Sequence, residues 1–313
     1  MIVVKNYLSK VGLGEYQKGS LVVEKIPGEN NNWEIKINKK DYRDPDSHSE
    51  ELYNDLSSYY NKKKLPNGNT IIAKDIKLRS KNGEHWWELV IEIVQEGNTI
   101  ARLGLGADYI GPSVYWACES GMNIEEIESF LQVSRTFGGH IVWPRWIGLT
   151  QPGGKMKFVD GFISINTSRG GEKGFFDRID LTLFDLKEWY LNQRCKLKNA
   201  YDKNKIWLEQ FVDFNGFIDF FELKDYVCEN GYMVKNHCSF NQGGLFENLT
   251  SNDVYPATIP NDELLYAKLV AANIYLIKRR NSRLGFLHRT YMRGKWNYYN
   301  KVTKSELGDE NIG

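Results

Sequence analysis

Long apolar runs are missing from this sequence. The longest, Leu264 to Ile277, is interrupted by Lys268 and Asn273 and falls short of the ~20 residues a helix needs to cross a bilayer. The opening segment MIVVKNYLSK has an apolar patch too short for a secretory core region, and nothing like a cleavage site follows. Cysteine is scarce and scattered, at Cys118, Cys195, Cys228 and Cys238, which suits reduced thiols rather than a disulfide framework. These absences predict a soluble, cytoplasmic protein without a membrane partner. Cys228, His237 and Cys238 lack the paired C-x-x-C spacing and a fourth ligand, which argues against structural zinc. No sign of charge dominates, with 41 Lys+Arg against 40 Asp+Glu. There is no G-x-S-x-G, no G-x-x-x-x-G-K-[ST] and no H-E-x-x-H, so no chemistry is fixed by motif spacing. GLGADYIG has the wrong glycine spacing for a dinucleotide loop.

Aromatic residues are plentiful: 9 Trp, 18 Tyr and 15 Phe in 313 residues. Such a chain can offset its conformational entropy and fold around a substantial core. Its pattern predicts an α+β architecture: a β-rich part over 1–105, a mixed α/β core over 106–235 and a helical part over 236–313. SLVVEKI, WEIKIN, NTIIAKDIKL, HWWELVIEIV and NTIARLGL have strand periodicity, and Asn/Gly turns separate several of them. Ser47 or Ser49 suits the cap of a helix in DPDSHSEELYNDLSSYY, and Asn123 the cap of NIEEIESFLQVSRTF. GGHIVWPRW and KFVDGFISIN read as strands, and Leu181 to Asn192 as a helix. NKIWLEQFVDFNGFIDFFELKDYV reads as two helices broken at Gly216. NDELLYAKLVAANIYLIKRR, apolar nearly all round, reads as a buried helix.

Three groups of polar residues stand out. The first surrounds one strand-to-helix connection: His140, Arg145, Asn166, Arg169, Asp177, Arg178 and Asp180. Arginines there suit bidentate capture of phosphate or carboxylate. Gly170, Gly171 and Gly174 would let backbone amides approach an anion. His140 suits acid–base work near neutral pH. A structural reading stands beside this one: Asp180 as a helix cap, Asp177 and Arg178 as ion-pair partners, His140 as a core histidine. The second group, Asp213, Asp219, Glu222 and Asp225, offers carboxylates for Mg²⁺, although a solvated acidic face explains it as simply; no other cofactor is implied. The third is Lys278 to Lys304, with nine Lys/Arg and no acid, which leaves the remainder at −8 in a chain of net charge +1. Its Lys278, Arg279, Arg280, Arg283, Arg289, Arg293 and Lys295 can track a phosphate backbone while Trp296 and neighbouring tyrosines stack on bases. Alternatively, the segment packs on the chain's own acidic remainder or on a protein partner.

The segments RDPDSHSEELYNDL, LPNG, GADYIGPS, GGHIVWPRW, INTSRGG, FFDRIDLTL and NGFIDFFELKDYV resemble an uncharacterised bacterial family, a domain of unknown function. The resemblance implies a bacterial or phage source and no particular activity. The resulting expectation is a bacterial effector, of the toxin or antiviral-defence kind, acting as an enzyme on nucleic acid or a nucleotide through the first group. The alternative is a non-catalytic nucleic-acid- or protein-binding subunit of a larger assembly.

Overall fold

In the computed structural model, the described residues are 6–10, 17–27, 33–61, 63–81, 83–110, 114–119, 121–162, 179–227, 270–271 and 273–284. Strands β1 (Leu21–Lys25), β2 (Trp33–Ile37) and β3 (Lys40–Asp41) form a small antiparallel sheet. Asn38 and Lys39, between β2 and β3, both have positive φ, as a tight two-residue hairpin turn requires. Helices α1 (Pro45–His48) and α2 (Glu50–Tyr60) follow back to back. Ser49 joins them. Its N–H donates to the Pro45 carbonyl and ends α1, while its Oγ accepts from the Leu52 N–H and caps α2. Of the two serines expected to cap this helix, Ser49 does so.

A larger sheet runs in chain order as an antiparallel meander: β4 (Thr70–Arg79), β5 (His85–Gln95), β6 (Asn98–Tyr109), β7 (His140–Thr150) and β8 (Met156–Asp160). Leu105, placed by the sequence at the end of a β-rich first part, lies inside β6. Strand alternation sends Ile71, Ala73, Leu89, Ile91, Ile93, Leu103, Leu105 and Ile147 into the core, where α2 adds Leu52, Tyr53 and Leu56. The intervening residues take the opposite face, where Ile72 and Phe158 are exposed and Arg102 pairs with Glu92 at 2.9 Å.

Helices α3 (Val114–Glu119) and α4 (Ile124–Ser134) pack with the small sheet in a second core containing Ile35, Ile37, Ile127, Phe130 and Val270. Asn123 caps α4 in a full capping box with Glu126. The later helices are α5 (Ile179–Tyr190), α6 (Lys198–Lys203), α7 (Lys205–Leu208) and α8 (Phe214–Phe220), with a further helical segment over 270–271 and 273–284.

Three expectations change here. The break near Gly216 falls earlier, at Val212 with its positive φ, and Asp213 caps α8 by accepting from the Gly216 N–H. Gly216 sits inside α8 because a Cβ there would lie 2.0 Å from the Phe211 carbonyl oxygen. Asp180 lies inside α5 (Ile179–Tyr190) rather than before it. The C-terminal helical segment is buried on one side only: Asn273, Leu276, Ile277 and Arg280 are covered, whereas Ala271, Tyr275, Lys278 and Arg279 face solvent.

Phe211, Phe217 and Phe221 are fully buried and meet ring to ring at 4.7–5.4 Å. Truncating Phe217 to Ala is expected to cost ~3–5 kcal/mol, the usual toll of an aromatic-sized cavity. A urea midpoint that barely moves would show that this aromatic cluster adds little.

Candidate active site around Asp44 and Asp46

Where the small sheet hands over to α1, the sequence reads Tyr42-Arg43-Asp44-Pro45-Asp46-Ser47. Pro45 occupies the first helical position, where its missing N–H costs nothing. Asp44 is at the N-cap, yet its side chain makes no capping bond. Asp44 Oδ1 instead accepts from Arg135 Nη2 at 2.9 Å, from Tyr109 Oη at 3.1 Å and from the Tyr42 hydroxyl. A residue type that ordinarily serves the helix start is here committed to a tertiary network.

Arg135 is the hub of that network. It ends α4, where a cation would ordinarily meet the helix dipole in solvent. Instead it is 1% exposed. Its guanidinium carbon lies 3.7 Å from the Tyr109 ring centroid, and its Nε donates to Tyr42 Oη at 2.7 Å. Burial pushes the hydroxyl pKa values of Tyr42 and Tyr109 well up, so both stay protonated, although Arg135 opposes this.

Asp46 has different surroundings. Loss of water around its carboxyl, then the neighbouring Asp44 charge, raise its pKa from 3.8 to about 7; Arg145, Arg135 and a bond from Ser47 only partly offset this. Its backbone carbonyl accepts from Tyr53 Oη at 2.6 Å, and the same hydroxyl accepts from the Ala107 N–H at 3.0 Å. The β5–β6 ladder ends at Leu89↔Leu105, so beyond that point a phenol stands in for a neighbouring strand at Ala107, and α1 packs against β5 and β6.

Arg145 reaches this place from β7. The β6–β7 ladder passes from Gly104↔Trp146 to Leu105↔Pro144, leaving Arg145 as the extra residue of a bulge. Such bulges re-aim side chains. Space for it comes from glycine: a Cβ on Gly106 would meet Arg145 Nε at 2.2 Å, and one on Gly104 would meet the Trp146 indole nitrogen at 2.1 Å. Arg145 Nη2 donates to Ser47 Oγ at 3.3 Å. Trp146 bonds the buried Glu88 carboxyl, whose pKa is raised chiefly by burial, against the pull of Trp146 and Arg145.

The Family of unknown function (DUF6994) matches residues 30–284. The chain belongs to that family. No curated protein and no solved structure matches it. The DUF6994 match takes in every residue of the Asp44–Asp46 cluster and stops short of Arg289.

Within this DUF6994 chain, the residues singled out by the sequence separate. Arg145 is in the cluster. His140 is beside it, 2% exposed, with Nδ1 at 2.7 Å from the Thr136 carbonyl and its ring 4.8 Å from Tyr109. Burial pushes its pKa down to about 3. Of its two readings, proton carrier near neutral pH and core histidine, this burial and bonding fit the second. Asn166, Arg169, Asp177 and Arg178 lie outside the described residues, as does the side chain of Asp180.

The basic tail also divides. Lys278 is exposed. Arg279 and Arg283 both pair with Asp225, so the acidic-surface reading describes them. Arg280 is a correction: it is 3% exposed and donates to the Phe221, Gly138 and His140 carbonyls, which removes it from any phosphate-contacting face. Arg289, Arg293, Lys295 and Trp296 lie outside the described residues. The second acidic group is dispersed: Asp213 caps α8, Asp219 pairs with Lys224 at 3.2 Å, and Glu222 follows the end of α8 with positive φ. Among the described residues, no three metal-ligating side chains cluster, and no helix is long and apolar enough to cross a membrane. The Cys228, His237 and Cys238 group lies outside the described residues.

Proposed function

We propose that the chain is an enzyme that uses Asp46 as its general acid and base on an anionic substrate drawn to Arg145, with a nucleotide or nucleic acid as the substrate class. The observation that carries this reading is the unequal treatment of two carboxylates one residue apart. Asp44 Oδ1 is held by three donors, while Asp46 is half-buried between the Asp44 charge and the Arg145 cation. Environments that push neighbouring carboxyls apart are how one site supplies both a fixed charge and a mobile proton. A carboxyl titrating near 7 is well matched to proton transfer at physiological pH. Arg145 supplies the charge that would favour a phosphate or carboxylate. Such an activity fits a bacterial effector of the toxin or defence kind. The rival reading, a binding subunit gripping nucleic acid through its basic tail, loses support from Arg279, Arg280 and Arg283, which are engaged within the fold.

Purified protein incubated with single-stranded RNA, single-stranded DNA and nucleoside triphosphates, analysed by gel and chromatography, is expected to convert at least one of them. Asp46→Asn should lower that rate by ~10²–10⁴-fold, the usual worth of a positioned acid–base group, with an unchanged circular dichroism spectrum. Turnover at the wild-type rate in Asp46→Asn would remove the proposal.

A further inference from the structure

The face of the large sheet that turns away from the α2 core carries an aromatic corner. Gly148 lies directly opposite Phe158 in the β7–β8 ladder, and Trp146 opposite Asp160. Trp146 and Phe158 therefore share this face on adjacent strands. Their rings meet at 5.4 Å and 72°, one forming a floor and the other a wall. Glycine makes the corner shallow: a Cβ on Gly148 would lie 2.9 Å from the Phe158 ring, and one on Gly104 would collide with Trp146. Rings lying over strand glycines can be purely structural. In that case the covering ring gains by being buried, but Phe158 is 60% exposed.

Polar groups surround the corner. Glu88 is 2% exposed, one of its oxygens bonds Trp146, and Oε2 has no hydrogen-bond partner among the described residues. A buried carboxyl oxygen left so is costly unless a ligand or water serves it. Arg145 adjoins Trp146 in the bulge and leads through Ser47 to α1. A flat apolar surface, an acceptor at its edge and a cation one residue away complement one chemical group well: a planar base with edge N–H donors, joined to a phosphate.

We propose that Trp146 and Phe158 form a stacking subsite for a nucleobase, with Glu88 at the base edge and Arg145 on the phosphate side. This deepens the Asp46-centred reading by naming the substrate's recognised part. The subsite is a matter of binding, so it stands or falls separately from the proton chemistry. Base stacking on aromatic side chains tolerates all four bases, and Glu88 supplies the preference among them, for bases that carry an N–H donor at the edge presented.

The experiment is a calorimetric titration of the full chain with adenosine, guanosine, cytidine and uridine monophosphates, and with ribose 5-phosphate as the base-free control. The nucleotides are expected to bind at least tenfold more tightly than ribose 5-phosphate. Phe158→Ala, at an exposed position on the outermost strand among the described residues, should reduce nucleotide affinity about tenfold without lowering the melting temperature. Glu88→Gln should change the order of preference among the bases. Asp46→Asn should still bind nucleotides more tightly than ribose 5-phosphate; if it does while retaining full turnover, the acid–base reading fails and the subsite remains. The subsite is overturned if no nucleotide binds, if ribose 5-phosphate binds equally well, or if Phe158→Ala leaves nucleotide affinity unchanged.

Discussion

Replacing Arg280 with methionine is expected to lower stability by about 3 kcal/mol or more. Methionine keeps much of the bulk and none of the donors. Arg280 Nε bonds the Phe221 carbonyl at 3.0 Å, and Nη1 bonds the Gly138 and His140 carbonyls at 2.7 and 2.6 Å. Three acceptors would lose a charged donor in a buried setting, and each such loss costs roughly 1–3 kcal/mol. The adjacent Asn281 ties the same turn, accepting from the Gly138 N–H and donating to Thr136 Oγ1. The variant therefore loosens the C-terminal helical segment from the start of β7. Lys278→Ala, two residues earlier on the exposed side, should stay within about 0.5 kcal/mol of wild type. Chemical denaturation of both variants decides the matter. Equal midpoints would return Arg280 to the class of solvent-facing cations.

The second large effect concerns pH. Folding raises the Asp46 pKa from 3.8 to about 7, so the native state holds this proton more firmly than the unfolded chain does. That contribution is complete at low pH and is lost as pH rises through about 7. Asp46→Asn removes the ionisable group and keeps its shape. The melting temperature of the variant minus that of wild type is expected to increase from pH 5 to pH 8, by roughly 2–4 °C for each kcal/mol that the ionised carboxylate costs. His140 acts with the opposite sign. Folding lowers its pKa from 6.5 to about 3, so it stabilises above 6.5 and withdraws that stability as pH falls towards 3. The His140 contribution is the same in both proteins and so drops out of the difference between them. A difference that stays flat across pH, or a variant less stable at pH 8, would show that Asp46 ionises without strain. The trade is a common one: a group kept ready for proton transfer weakens the fold that holds it.

The large sheet was legible because its signal is local. The runs around Ile71, Ile91 and Leu103 alternate with the period of a strand, and a turn with Glu96 and Gly97 at positive φ separates β5 from β6. The site was less so. Ser47 and Ser49, not Asp44, stood out as the helix start, and nothing local points from Asp44 to Arg135, since their bond spans 91 residues. What RDPDSHSEE could not show is that Asp44 sits at the N-cap and makes no capping bond. Arg280 misled for a similar reason, since its partners are backbone carbonyls and no side-chain pattern encodes them. Arg145 was found, but its bulge depends on which strand lies alongside, and that is settled only when β6 and β7 pair.

Ser49 is at once the last word of one helix and the first of the next, buried and bonded in both directions. No slack exists between the carboxylate of Asp46 and the core anchor at Leu52. The segment behaves as a ruler. One residue inserted between Asp46 and Leu52 would turn α1 by roughly 100° relative to α2, from 3.6 residues per turn, and carry Asp46 away from Arg145. Length change is therefore the mutation class this segment should tolerate least, even where single substitutions on its outer side pass unnoticed.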